Sequence, residues 1–295
     1  MTAETPIPER TPLYEAIHSD RYARQKVIKE IQGLTGRRLL VYEVKIWSDG
    51  CDLNEEDIQP FSDLLEKVRK NEDVDLLLHS PGGQIDAAEK IVYMCRVIAG
   101  SLRVIVPEYA KSAATLIALA SDEVVMGLAS ELGPVDAQLS GPGPGGGRFQ
   151  TSAQCFIDEF ERIKREVKRT GNLSPVYYPI LQDMPLGFIE MCRNLMARSR
   201  EFATKWLKKY MLKGNPVGAK KLAAELCNVR KWRAHGVVID ADQALKLGIK
   251  VSKLNKDDAL WKAIWYLHCC YGVLFRNTNV VKVFESDSVS LLFQA

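Results

Sequence analysis

Apolar and polar positions follow two rhythms along this chain, one of period two and one of helical period, and the switches between them outline its elements. Residues 37–47 (RRLLVYEVKIW) are rich in β-branched and aromatic side chains between turn-formers, which predicts a strand. Asn54 then opens a helix. Glu55, Glu56 and Asp57 suit its electropositive first turn, and Leu64, Leu65 and Val68 fall at helical spacing. Residues 74–78 form a short apolar strand that runs through His79 into Ser80-Pro81-Gly82-Gly83, after which Ile85, Ala88, Ile91, Val92 and Cys95 mark a second helical face. A third strand is predicted over 102–106, a helix of small residues over 112–120 and a fourth strand over 123–126. Alternation of this kind is the signature of a parallel sheet covered by helices.

The flanks read differently. Residues 1–36 are polar, with Pro6, Pro8 and Pro12 and then a charged helical stretch over 19–31, and make an arm. Residues 141–147 (GPGPGGG) break the pattern as a loop, and beyond them helices are expected over 153–169, 186–212 and 217–227. Asp240 to Leu247 is a short helix with an acidic N-cap and Gly248 just past its end. Residues 259–275 read as a buried or surface helix, and 279–295 alternate like one or two edge strands.

Composition narrows the class of protein. With 46% apolar and 26% charged residues among 295, the chain is globular rather than disordered or fibrous. Forty Lys+Arg against 37 Asp+Glu give +3, too little to nominate nucleic acid as a partner. A local excess does exist: residues 161–233 hold 17 basic against 6 acidic side chains. They do not interleave with stacking aromatics, so they read as a solvated helical surface. Seven scattered cysteines without a CxxC pair point away from a zinc or disulfide framework and toward a reducing compartment. The N-terminus has no signal-peptide core and no span of about 20 apolar residues occurs, so a cytoplasmic protein without an integral membrane segment is expected.

Two segments carry candidate chemistry. Gly82 and Gly83 follow a parallel strand and precede a helix, where glycine lets backbone N–H groups approach a ligand oxygen. Ser112, in Tyr109-Ala110-Lys111-Ser112-Ala113-Ala114-Thr115, opens a small-residue helix; it is either a helix N-cap or an exposed hydroxyl beside an oxyanion-binding N–H. Both lie at carboxyl ends of neighbouring strands, where open α/β sheets build their sites. Gly141, Gly143 and Gly146 satisfy GxGxxG, but Pro142 and Pro144 remove N–H donors and no apolar strand leads in, so the run is no dinucleotide fingerprint.

Residues 76–138, with LLLHSPGGQIDAAEKIV, VPEYAKSAATLIALASDEVVMG and SELGPVDAQ, resemble the serine dehydrogenase proteinase family, relatives of the Clp proteolytic subunit, signal peptide peptidase A and the crotonases. The resemblance is strong over about 65 residues and weaker from Arg37 to about Val251. It implies a Clp/crotonase-like α/β spiral of repeated β-β-α units with a mainly parallel sheet. A catalytic domain over 37–251 would then lie between the arm, 1–36, and a helical and strand extension, 252–295.

The same resemblance implies a serine peptidase acting on protein or peptide, with Ser112 as nucleophile and the backbone N–H groups of Gly82, Gly83 and Ala113 lining an oxyanion hole. Asp136, in the Gly133-Pro134-Val135-Asp136 segment, matches the acid, and His235 is the candidate base. His18 in the arm, His79 at a strand end and His268 in an aromatic helix are less suited to that role. Relatives with a Ser-Lys dyad make Lys164, on the helix after the glycine loop, the alternative base. No metal or organic cofactor is needed, and a homo-oligomer is implied. The chain departs from the Clp pattern in having no histidine over 129–138 and in following Ser112 with Ala-Ala-Thr, which leaves the S1 pocket undefined. Acyl-CoA chemistry of the crotonase type and a non-catalytic peptide-binding homologue remain alternatives.

Overall fold

A computed structural model describes residues 11–142, 148–182, 184–232, 234 and 236–294. Its strands are β1 (Arg38–Val44), β2 (Val74–His79), β3 (Leu102–Val106), β4 (Tyr109–Ala110), β5 (Glu123–Met126), β6 (Glu131–Leu132), β7 (Gln138–Pro142), β8 (Arg148–Ser152), β9 (Val251–Lys253), β10 (Val280–Glu285) and β11 (Ser290–Gln294). The helices are α1 (Pro12–Ile17), α2 (Ser19–Thr35), α3 (Ile58–Glu66), α4 (Ile85–Ile98), α5 (Ala113–Leu119), α6 (Ala153–Thr170), α7 (Tyr178–Gln182), α8 (Phe188–Lys209), α9 (Pro216–Leu226), α10 (Val229–Trp232), α11 (Ala241–Leu247) and α12 (Ala259–Asn277).

The main sheet has seven strands in the order β11-β10-β1-β2-β3-β5-β9. The run from β1 to β9 is parallel, while β10 and β11 join antiparallel beside β1. A second, shorter ladder runs alongside: Leu53 bridges Gly83, Ser80 bridges Ala110, β4 pairs with β6, and Leu132 bridges Ile239. A sheet strand followed by a short ladder segment and a helix therefore recurs, as β2, Ser80–Gly83, α4 and as β3, β4, α5. The mixed α/β fold with a mostly parallel sheet and β-β-α repeats agrees with the expected class.

Each sheet face has its own core because side chains alternate across a strand. Leu40, Tyr42, Val74, Leu76, Leu78, Val104 and Val124 pack under α3, α4, α5 and α8. Leu39, Val41, Leu77, Ile105 and Val125 pack on the opposite face with Ile28 and Ile31 of α2 and Trp261, Ile264, Leu267 and Tyr271 of α12. The helix expected in an arm thus covers the sheet together with α12. Arg24 of α2 donates to both carboxylate oxygens of Glu285 in β10, at 2.8 and 3.0 Å, and both side chains are buried. Removing one partner of such a pair costs about 3–5 kcal/mol because the other charge is left stranded.

Several boundaries differ from the pattern. The strand read over 37–47 stops at Val44, since Trp47 turns left-handed at φ 66° and points into solvent. Of the two C-terminal strands only β11 is an edge; β10 lies between β1 and β11. Gly141 and Pro142 of the expected loop belong to β7, which pairs antiparallel with β8; residues 143–147 lie outside the described residues. No helix among the described residues is long and apolar enough to cross a membrane.

Candidate active site

The site begins at the β4–α5 junction. Lys111 O accepts from Ala114 N–H at 2.9 Å, closing a tight turn whose second residue is Ser112 at φ 51°, ψ −118°. These are the angles of the first central position of a type II′ turn, where glycine is normal and an L-residue is strained by about 1–3 kcal/mol. Ser112 occupies the N-cap position of α5, yet its side chain caps nothing. Its Oγ has no hydrogen-bond partner among the described residues and is only partly covered, so the N-cap reading gives way to an elbow that presents a hydroxyl. Directly after it, the Ala113 N–H opens the helix without an acceptor among the described residues, as first-turn donors do.

The glycine turn is pressed against this elbow. Ser80 N–H donates to Tyr109 O at 2.8 Å and Lys111 N–H to Ser80 O at 3.1 Å, which ties the end of β2 to β4. A Cβ at Gly82, where φ is 98°, would stand 2.6 Å from Lys111 O and 2.8 Å from both Ala113 N and Ser112 Cβ. Gly83, at φ 150°, leaves no room against Leu53, whose oxygen would be 2.1 Å from a Cβ. The two N–H groups differ. Gly82 donates to Ser80 Oγ at 3.1 Å, whereas the Gly83 N–H has no acceptor among the described residues. Position 82 therefore supplies room, and Gly83 and Ala113 supply the uncommitted donors.

A third segment is fastened to the same junction. Thr115 Oγ1 donates to Ala110 O at 2.7 Å and accepts the Gly133 N–H at 3.1 Å, coupling the serine helix to Gly133-Pro134-Val135-Asp136. Asp136 is buried, accepts from Gln138 Nε2, and adds to the burial that pushes the Cys227 thiol up to about 12. Lys111, beside the serine, is almost wholly buried. Its Nζ donates to Leu132 O at 3.2 Å and Val237 O at 3.0 Å and pairs with Glu131 at 3.1 Å. Burial pushes this amine down against the pull of Glu131. Leu132 and Ile239 exchange both backbone hydrogen bonds, at 2.9 and 3.0 Å.

Of the expected residues, Gly82, Ser112 and Ala113 are in contact and Gly83 adjoins them. Asp136 follows a segment hydrogen-bonded to α5. His235 lies outside the described residues, although Val237, two positions on, is held by Lys111. Lys164 is exposed on α6 and pairs with Glu161 at 3.4 Å. The clamping role of Lys111 escaped the sequence, where the residue looked like part of a serine motif; a lone lysine between two apolar strand residues and a helix was its only signal.

The remaining histidines stand elsewhere. His18 is in the turn between α1 and α2. His79 shares the α12 face with Leu77, by alternation the side of the sheet away from α5. There it meets Glu43, Glu108 and His268. The carboxylates outweigh burial and raise His79 to about 9, and the imidazoles hold Glu108 down at about 2.

Residues 56–146 match the family of ClpP-like SDH-type serine proteinases. Two uncharacterized proteins of Methanocaldococcus jannaschii are similar, one 42% identical over 85 residues and one 26% identical over 198. These alignments cover 28% and 66% of this chain, and the chain spans 30% and 58% of the relatives' own lengths. Among solved structures, a membrane-bound stomatin-specific protease is 17% identical with a TM-score of 0.39, covering 78% of this chain and 82% of that one. ClpP1 from Listeria monocytogenes is 14% identical with a TM-score of 0.39, covering 78% and 99%. The segment that matches the family of ClpP-like SDH-type serine proteinases, residues 56–146, holds both the glycine turn and the serine elbow.

Proposed function

We propose that this chain is a serine peptidase in which Ser112 attacks a peptide carbonyl and forms an acyl-enzyme. The observation that carries the reading is the elbow: a strained, uncapped serine whose hydroxyl is unspent, with the uncommitted N–H groups of Gly83 and Ala113 beside it. Those donors would hold the tetrahedral oxyanion, and removing one such donor typically costs about 10²–10³ in kcat.

His235 takes the serine proton and returns it to the leaving amine, while Asp136 orients the imidazole and stabilises its cation. The support is connectivity: Val237 and Ile239 are fastened to Lys111 and Leu132, and Gly133 to Thr115, so the stretches after His235 and before Asp136 both end at the serine junction. Lys164 is the rival base, but it stands exposed on α6 and pairs with Glu161. Substrate is protein or peptide. The active form is a homo-oligomer; α12 spends Trp261, Ile264, Leu267 and Tyr271 inside its own subunit and leaves Tyr266 and Val273 exposed for such contacts.

The test is the series Ser112→Ala, Asp136→Asn, His235→Ala and Lys164→Met on an unfolded protein substrate, with fluorophosphonate labelling in parallel. Loss of serine or histidine should each cost on the order of 10⁶ in kcat, with the double variant little worse. Activity lost in Lys164→Met and kept in His235→Ala would transfer the base role to lysine. An unlabelled Ser112 in a chain that binds acyl-CoA would overturn the peptidase reading.

A further inference from the structure

On the face of the sheet away from Ser112, two histidines and two glutamates from four separate elements converge. Glu43 is the penultimate residue of β1, His79 ends β2 directly opposite it in the parallel register, His268 comes from α12, and Glu108 from the turn between β3 and β4. Glu43 is fully buried and His79 is 5% exposed. His268 Nδ1 is 2.9 Å from Glu43 Oε1 and its Nε2 is 3.1 Å from Glu108 Oε2. His79 Nδ1 is 3.0 Å from Glu43 Oε2 and its Nε2 is 3.6 Å from Glu108 Oε2.

These distances conceal a defect. Neither ring nitrogen of His79 makes an aligned hydrogen bond, and Glu43 Oε2 accepts none either, although the two side chains are in ion-pair contact. Three buried polar atoms without an aligned hydrogen bond thus sit together, where most buried polar atoms are satisfied. One ligand atom each from Glu43, His79 and His268 lies within 4.8 Å of the others. A tetrahedral ion with bonds of about 2.0–2.1 Å needs ligand atoms about 3.3–3.4 Å apart, a separation the cluster reaches with side-chain shifts of a fraction of an ångström to about one. Ligation requires both imidazoles neutral, so the ion would replace the protons the carboxylates otherwise hold there, and two carboxylates match the charge of one divalent cation.

We propose that Glu43, His79 and His268 bind a divalent transition-metal ion, zinc by its preference for imidazole and carboxylate, while Glu108, which faces the Nε2 atoms of both rings, orients the imidazoles from outside the ligand set. The ion pins α12 to the ends of β1 and β2. Since His79 immediately precedes Ser80, whose hydroxyl holds Gly82, the pin also steadies the glycine turn from beneath. The site stands whether or not Ser112 is a nucleophile.

The experiment uses the full chain, stripped with chelator, reloaded with Zn²⁺ and gel-filtered, with metal content measured per chain. About one ion should remain. X-ray absorption of the loaded protein should show two imidazoles and oxygen, and Co²⁺ should give the intense visible bands of a tetrahedral site. His79→Gln and His268→Gln should each weaken affinity by more than the ~10–100-fold that loss of an outer-shell partner costs, while His18→Gln changes nothing. The proposal is overturned by metal content well below one, by retention undiminished in either ligand variant, or by sulfur scattering that places the ion on the exposed Cys155 or Cys269. Absorption on the unmutated chain decides the case even where a variant fails to fold.

Discussion

If Ser112 is held in a glycine-favouring conformation for the sake of its hydroxyl, replacing it should separate stability from activity. Ser112→Ala keeps a Cβ and therefore the strain, and removes an Oγ that has no partner among the described residues, so its stability should stay within about 0.5 kcal/mol of the parent. Ser112→Gly relieves the φ 51°, ψ −118° strain, about 1–3 kcal/mol, at the cost of about 0.4–1 kcal/mol for the freer unfolded chain. The midpoints of these ranges leave the glycine variant more stable than the alanine one by about 1.3 kcal/mol. At about 2 cal/mol/K per residue, the unfolding entropy of a 295-residue chain is on the order of 0.6 kcal/mol/K, so the gain is about 1–3 °C in Tm. Calorimetry of the two variants side by side measures it, and peptidase assays should find both inactive. A glycine variant equal to or less stable than the alanine one would refute the strained elbow, and with it the argument that function holds the serine there.

Three further outcomes follow from the same structure. Gly82→Ala forces a Cβ to within 2.6 Å of Lys111 O at φ 98°, so it should cost about 2–4 kcal/mol and abolish labelling of Ser112; denaturant midpoints check the first and a fluorophosphonate gel the second. Burial raises the Cys95 and Cys227 thiols to about 12, so at pH 8 iodoacetamide should modify the exposed Cys155 and Cys269 and spare these two, as peptide mass spectrometry would report. Because their folded values lie above the ordinary 9.0, the stability of burying them neutral is full below about pH 9 and is lost as pH rises toward 12, and Cys95→Ala should flatten that decline.

The amino-acid sequence by itself determined the parallel sheet. Its strands are continuous apolar runs because both faces are buried, and its helices carry caps and periodic faces that need no knowledge of neighbours, as at Asn54 and Asp240. It also determined the serine and glycine pair, because Ser112 and Gly82-Gly83 follow strands and local chemistry dictates what glycine and serine do there. Only the tertiary structure decided which hydrogen bonds were already taken. Gly82 spends its N–H on Ser80 while Gly83 does not, and Lys111 turns from a motif residue into a clamp on Leu132 and Val237. The arm looked detached because α2 is polar overall, yet Arg24 finds Glu285, 261 residues away, and Ile28 and Ile31 find α12. Likewise Glu43, His79, Glu108 and His268 are scattered singly along the chain. No local pattern joins them, since what brings them together is strand register and the docking of a distant helix.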